Sequence, residues 1–148
     1  MGSRLKFIIA MLFILATTIA SAREDKMVQD ASVLPVKSRE FLLEHFKDIP
    51  ISHIHIEKDF ILVDCYDVIL TDGTNIEFDS SGRWTEVKRH NSSLPESVIP
   101  PAMLESVRKN YPSSMIVVIE RESKGYELKL DNELEIKYDL KGNILKID

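Results

Sequence analysis

The sequence predicts an α+β fold: two tandem helix-plus-four-strand repeats forming an antiparallel sheet of about eight strands with two helices on one face. Three observations carry this expectation. The chain says nearly the same thing twice after its opening thirty residues. Leu34, Pro35, Phe46, Ile51 and Ile54 recur 65 positions on as Ile99, Pro100, Tyr111, Ile116 and Ile119, and Tyr66, Val68, Leu70, Ile76, Phe78, Asp79, Gly82 and Val87 recur 60 positions on as Tyr126, Leu128, Leu130, Ile136, Tyr138, Asp139, Gly142 and Ile147. Each copy opens on proline with apolar residues at helical spacing and then switches to a period of two. The alternating runs are joined by turns short enough to demand antiparallel neighbours.

The first 22 residues read as a secretory signal peptide, with Arg4 and Lys6 as its positive start, Phe7 to Ala16 as its apolar run and Ala20-Ser21-Ala22 as a small-residue cleavage site. The apolar run falls short of the ~20 residues that a membrane-spanning helix needs, so no stable membrane insertion is expected after cleavage. Residues 23–33 are polar, lack periodicity and are expected to form a disordered N-terminal lead. The exported remainder has the size of one domain.

The segment 1–22 contains two of the 19 Lys and Arg and none of the 24 Asp and Glu, which takes the formal charge from −5 to −7. That sign excludes a nucleic-acid partner, because neutralising phosphates takes clustered Lys and Arg. Cys65 is the single cysteine. No internal disulfide can form, and its apolar setting from Ile61 to Tyr66 reads as that of a small buried hydrophobe.

Pro35 suits the first turn of a helix because its missing N–H would be unpaired there in any case. In the stretch that follows, Ser38, Leu42 and Phe46 lie on one stripe flanked by Phe41 and His45. Pro100-Pro101 opens the second helix, with Met103, Leu104, Val107 and Tyr111 in the stripe and Pro112 as its stop. After the first helix, Ile54 and Ile56 alternate with His53 and His55, and Tyr66, Val68 and Leu70 alternate with Asp67 and Ile69, the pattern of half-buried strands. Asp72-Gly73 supplies a hairpin turn in which glycine takes a positive φ. The counterpart Asn132-Glu133 lacks the glycine, and Asn132 is the residue expected to tolerate the left-handed conformation. Asp79-Ser80-Ser81-Gly82 and Asp139-Leu140-Lys141-Gly142 form a second, slightly longer pair of loops. Repeat one thus covers 34–87, a connector 88–98, and repeat two 99–148.

The run Tyr66-x-Val68-x-Leu70-x-Asp72-Gly73-x-x-Ile76-x-Phe78-Asp79-x-x-Gly82-x-Trp84-x-Glu86-Val87, with its echo from Tyr126 to Asn143, resembles the β-lactamase-inhibitor-like, PepSY-like proteins exported by Bacteroidetes. The similarity spans residues 34–148. It implies the tandem fold and a periplasmic or secreted location, and it brings no established activity. Asn132-Glu133 departs from the Asn-Gly usual in that family, and the region from Lys58 to Cys65 is longer.

Strict alternation places Trp84, Ile69, His53, His55, Ile144 and Val118, together with Ile116, on the sheet face opposite the helices. Large apolar side chains on an open face are anchors for a protein or peptide. The expected function is therefore a non-catalytic exported binding module whose partner is an envelope or extracellular protein or peptide. The alternatives are an inhibitor of a hydrolase, on the analogy of fold, or a small-ligand or metal carrier using His53 and His55. The two histidines share one side of a strand, but a closed metal site needs further ligands, and no metal-binding motif supplies them. No catalytic constellation and no cofactor-binding motif is present, so neither an enzymatic activity nor a cofactor is expected.

Overall fold

A computed structural model of the chain describes residues 26–59 and 61–148; the predicted signal peptide, residues 1–22, lies outside the described residues. The order of elements is β1 (Lys26–Val28), α1 (Val36–His45), β2 (Ile51–Asp59), β3 (Leu62–Leu70), β4 (Asn75–Asp79), β5 (Trp84–Lys88), α2 (Pro101–Asn110), β6 (Ile116–Glu122), β7 (Gly125–Leu130), β8 (Glu135–Asp139) and β9 (Ile144–Ile147), with single 3₁₀ turns at Ala31–Val33 and Glu96–Val98. The nine strands form one open antiparallel sheet in sequential order.

Within the expected disordered lead, residues 26–33 take up structure: a short strand, Lys26–Val28, and the 3₁₀ turn Ala31–Val33. Lys26, Met27 and Val28 pair with Ile56, His55 and Ile54. Three residues suffice here because β2 offers an unpaired edge, and Val28 joins the apolar row on the helix side.

That row is the spine of the core. Val28, Ile54, Val68, Ile76, Val87, Ile119, Leu128, Ile136 and Ile147 stand opposite one another on successive strands. From Ile54 to Ile136 every member is fully buried. Fully burying such a side chain stabilises by about 1.5–3 kcal/mol, so these positions dominate the sheet's contribution to stability. Leu42 and Ser38 of α1, and Met103 and Val107 of α2, close over it. The connector packs as well, through buried Leu94 and Val98, and Arg89 ties it to Asp72 at 2.8 Å, to Thr74 Oγ1 and to the Ser93 carbonyl.

Each helix begins on a hairpin loop. Gly82 has φ +85°, and a Cβ there would stand 2.6 Å from Pro35 Cβ and 2.9 Å from Ser38 Oγ, so only glycine lets α1 sit down on the β4–β5 turn. The Ser38 hydroxyl donates to the Gly82 carbonyl at 3.1 Å, which accounts for a buried serine in the apolar stripe. The carboxylate of Asp79 organises the same turn, accepting from Ser81 N at 2.9 Å, Ser81 Oγ at 2.6 Å, Arg83 N at 3.1 Å and Arg83 Nε at 2.9 Å. Burial works to raise the Asp79 pKa, but these bonds outweigh it and bring it down to about 2. At the β7–β8 turn the positive φ falls on Glu133 (69°), the position corresponding to Gly73, rather than on Asn132. Asn132 instead accepts a hydrogen bond from Leu134 N through its side-chain oxygen.

Candidate binding face of the sheet

The helix-free face is where the sequence places a binding surface, and the strand registers decide what stands on it. His53 lies opposite Ile69, Ile69 opposite Asn75, Asn75 opposite Lys88, Lys88 opposite Val118, and Val118 opposite Lys129. His53, Ile69 and Val118 thus share one row across the open face. His55 belongs to the next row, opposite Asp67.

Trp84 and Ile144 are not on this face, and neither is Ile116. The reason is the same in all three cases: a β-bulge adds one residue to the strand and reverses the alternation beyond it. In β5, Glu86 opposes Glu77 but Trp84 opposes Phe78, so Thr85 is the extra residue and Trp84 turns to the helix side. There its ring lies 5.9 Å from that of Phe41 in α1 and 6.2 Å from that of Tyr126. In β9 the extra residue is Leu145, and Ile144 opposes the buried Tyr138. In β6 it is Val117, and Ile116 opposes Leu130, both in the core.

In place of an aromatic anchor, the open face carries a line of carboxylates. Asp67, Glu77, Glu86, Glu120 and Glu127 stand directly opposite one another on β3 to β7. Lys137 and Lys146 continue the line on β8 and β9, and His55 ends it on β2. Like charges directly opposite on a sheet are destabilising. The Asp67 carboxyl is pushed above its ordinary range by burial first and then by Glu77, with His55 pulling the other way. Burial also raises Glu86, where Lys88 partly offsets the push from Glu77 and Asp67, and Glu120 is raised by burial and then by Glu86 and Glu127. Lys137 pairs with Glu127 at 2.6 Å and Glu122 at 3.0 Å at the β8 end, and Thr85 Oγ1 donates to Glu77 at 2.8 Å.

Cys65 faces the same side, opposite Glu57 and Asp79. Burial first, and the carboxylates of Glu57, Glu77, Asp64 and Asp67 after it, push its thiol up to about 12, so at neutral pH it stays protonated and unreactive. His53 Nδ1 lies 3.2 Å from Ser52 Oγ. Among the described residues no group of three or more His, Cys, Asp or Glu is disposed to hold a metal ion, and no helix is long and apolar enough to cross a membrane.

Above the β5–β6–β7 junction, Lys88, Arg89, His90, Val118, Lys129 and Glu133 line a shallow cleft of about 280 Å³. Lys129 is held there by Glu133 at 2.7 Å and Glu135 at 3.4 Å. The carboxylate line escaped the sequence reading because each member is unremarkable in its own strand. Only the cross-strand register sets them side by side, although Asp67 and Glu127 occupy corresponding positions 60 residues apart.

Two helices on one face of an open antiparallel sheet, with a charged row on the opposite face, define a small α+β module. The chain belongs to the PepSY-like family, described as "Putative beta-lactamase-inhibitor-like, PepSY-like", whose profile matches residues 64–146. Solved structures of similar chains agree. A "putative calcium-regulated periplasmic protein" of Bacteroides thetaiotaomicron is 39% identical with a TM-score of 0.77, the match covering 84% of this chain and 96% of that one. A "putative periplasmic protein of unknown function" from Bacteroides vulgatus is 41% identical with a TM-score of 0.77, covering 84% and 99%. A second B. vulgatus "putative periplasmic protein" is 38% identical with a TM-score of 0.76, covering 86% and 98%. Comparison with curated proteins finds no match. The chain is, like these relatives, a periplasmic protein.

Proposed function

We propose that this protein is a non-catalytic periplasmic binding module that holds a cationic protein or peptide against the helix-free face of its sheet. The observation that carries the reading is the line Asp67, Glu77, Glu86, Glu120 and Glu127, five carboxylates set directly opposite one another, an arrangement that costs the fold stability. A partner bearing lysine or arginine would relieve that repulsion on binding, while Ile69 and Val118 in the adjacent row would supply apolar contact and His53 and His55 the rim. The absence of catalysis is supported by the character of the groups themselves. The one thiol is held protonated, and the carboxylates stand in a row across successive strands. The order helix-then-four-strands, met once as α1 to β5 and again as α2 to β9, together with the 60- and 65-residue echoes, supports an origin by duplication of one unit.

A second reading draws on the B. thetaiotaomicron relative, a "putative calcium-regulated" protein. Calcium takes carboxylate oxygens; among the described residues no three such groups are disposed to hold a metal ion, so this reading draws on the relative alone.

Both readings are tested by titrating protein purified from the periplasm with a labelled oligolysine and, separately, with calcium chloride, following backbone amide shifts by NMR. Saturable shifts centred on Asp67, Glu86 and Glu120 with the peptide, reduced in Glu86→Gln/Glu120→Gln, support the first. Shifts confined to the helix side, or none, overturn it. A saturable response to calcium at the same residues, with no response to the peptide, favours the second.

A further inference from the structure

On the other side of the sheet, the bulge that turns Trp84 inward creates a second feature. Arg121 of β6 stands opposite Tyr126. Its guanidinium carbon lies 4.2 Å from the centroid of the Trp84 ring and 5.8 Å from that of Tyr126. Trp84 is backed in turn by Phe41. The rings beside the cation attract its charge but accept none of its in-plane N–H bonds.

The edge of the guanidinium is the unusual part. Arg83 is held by Asp79, Arg89 by Asp72 and Arg108 by Glu96. Arg121 forms no hydrogen bond or ion pair among the described residues, and its Nε is buried without a partner. A buried donor left without an acceptor destabilises the fold. In a chain with 24 Asp and Glu, this buried donor beside two rings has been left without an acceptor.

We propose that Trp84, Arg121 and Tyr126 form a binding site for an organic carboxylate. The two carboxylate oxygens would accept the fork of N–H donors along the guanidinium edge, the geometry for which arginine is suited, and an attached flat or apolar group would lie against the exposed parts of the Trp84 and Tyr126 rings. The site is on the helix side and does not depend on the partner-binding reading of the open face.

Trp84 is the only tryptophan in the chain, so intrinsic fluorescence reads the site directly. The full protein, purified from the periplasm, is titrated with benzoate at constant ionic strength, and with benzamide as the neutral analogue of the same shape. Benzoate is expected to change Trp84 fluorescence saturably and to bind about tenfold or more tighter than benzamide, the value of a charge-assisted pair. In Arg121→Gln the preference for benzoate disappears while the circular dichroism spectrum is kept. If Arg121→Gln does not fold, Arg121→Lys, which keeps a charge over the rings but lacks the fork, is expected to weaken benzoate selectively. Equal binding of benzoate and benzamide, no saturable change, or an undiminished benzoate preference in the variant that folds would overturn the site.

Discussion

Removing one carboxylate from the middle of the open face should make the protein more stable. Glu86 faces Glu77 on one side and Glu120 on the other. Each directly opposed like-charge pair costs roughly 0.2–1 kcal/mol, so Glu86→Gln, which abolishes two, should stabilise by about 0.4–2 kcal/mol. For a domain of this size that is a rise in Tm of a few degrees, at roughly 4 °C per kcal/mol. Glu86→Lys should gain more, because both neighbours become attractive. The effect should shrink in high salt, where the Debye length falls to about 3 Å at 1 M.

The sign with pH follows from the raised pKa values of Asp67, Glu86 and Glu120. The folded state binds these protons more tightly than the unfolded chain does. This part of the stability is therefore largest in acid and is lost as pH rises from about 4 through the raised values. Glu86→Gln should flatten that decline. Urea unfolding of both proteins between pH 4 and pH 8 measures it. A destabilised Glu86→Gln, or a gain unaffected by salt, would refute the idea that repulsion across the row governs this face.

Three further outcomes are expected. Asp79→Asn should destabilise by about 2 kcal/mol at neutral pH, since a carboxyl moved from 3.8 to about 2 carries roughly 1.36 kcal/mol per unit. In the parent this contribution is present above pH 3.8 and is lost as pH falls through about 2, the reverse of the open-face trend. Unfolding midpoints at pH 7 and pH 2 check it, and equal losses at both would contradict it. Glu133→Gly should raise the urea midpoint, because glycine takes φ 69° without the steric cost borne by glutamate; a lower midpoint would show that the Lys129–Glu133 pair outweighs the backbone. Finally, Cys65, with its thiol moved from 9.0 to about 12, should hold about a thousandfold less thiolate at pH 8 than an unshifted cysteine. Reaction with a disulfide reagent at the rate of free cysteine would count against it.

The sequence exposed the layered plan because the plan is written in local periodicity: Ile54, Val68, Ile76 and Val87 alternate in their own strands, and Leu42 or Val107 recur at helical spacing. The positions of Trp84 and Ile144 were not legible, because alternation carries no mark of a bulge. One extra residue at Thr85 or at Leu145 reverses a side chain with no change in composition. β1 was missed for a related reason, as Lys26–Val28 has no pattern of its own and borrows its structure from the free edge of β2. The histidine row with Ile69 and Val118 was legible; the carboxylate line beside it and the stacking of Arg121 depend on which strands lie side by side.

The most direct test of the binding role is the affinity for a labelled oligolysine of the parent protein, Glu86→Gln/Glu120→Gln on the open face and Arg121→Gln on the helix face. If the open face holds cationic partners, the double variant binds about tenfold or more weakly at low salt, and Arg121→Gln binds as the parent does. Equal affinity of the parent and the double variant would contradict the account.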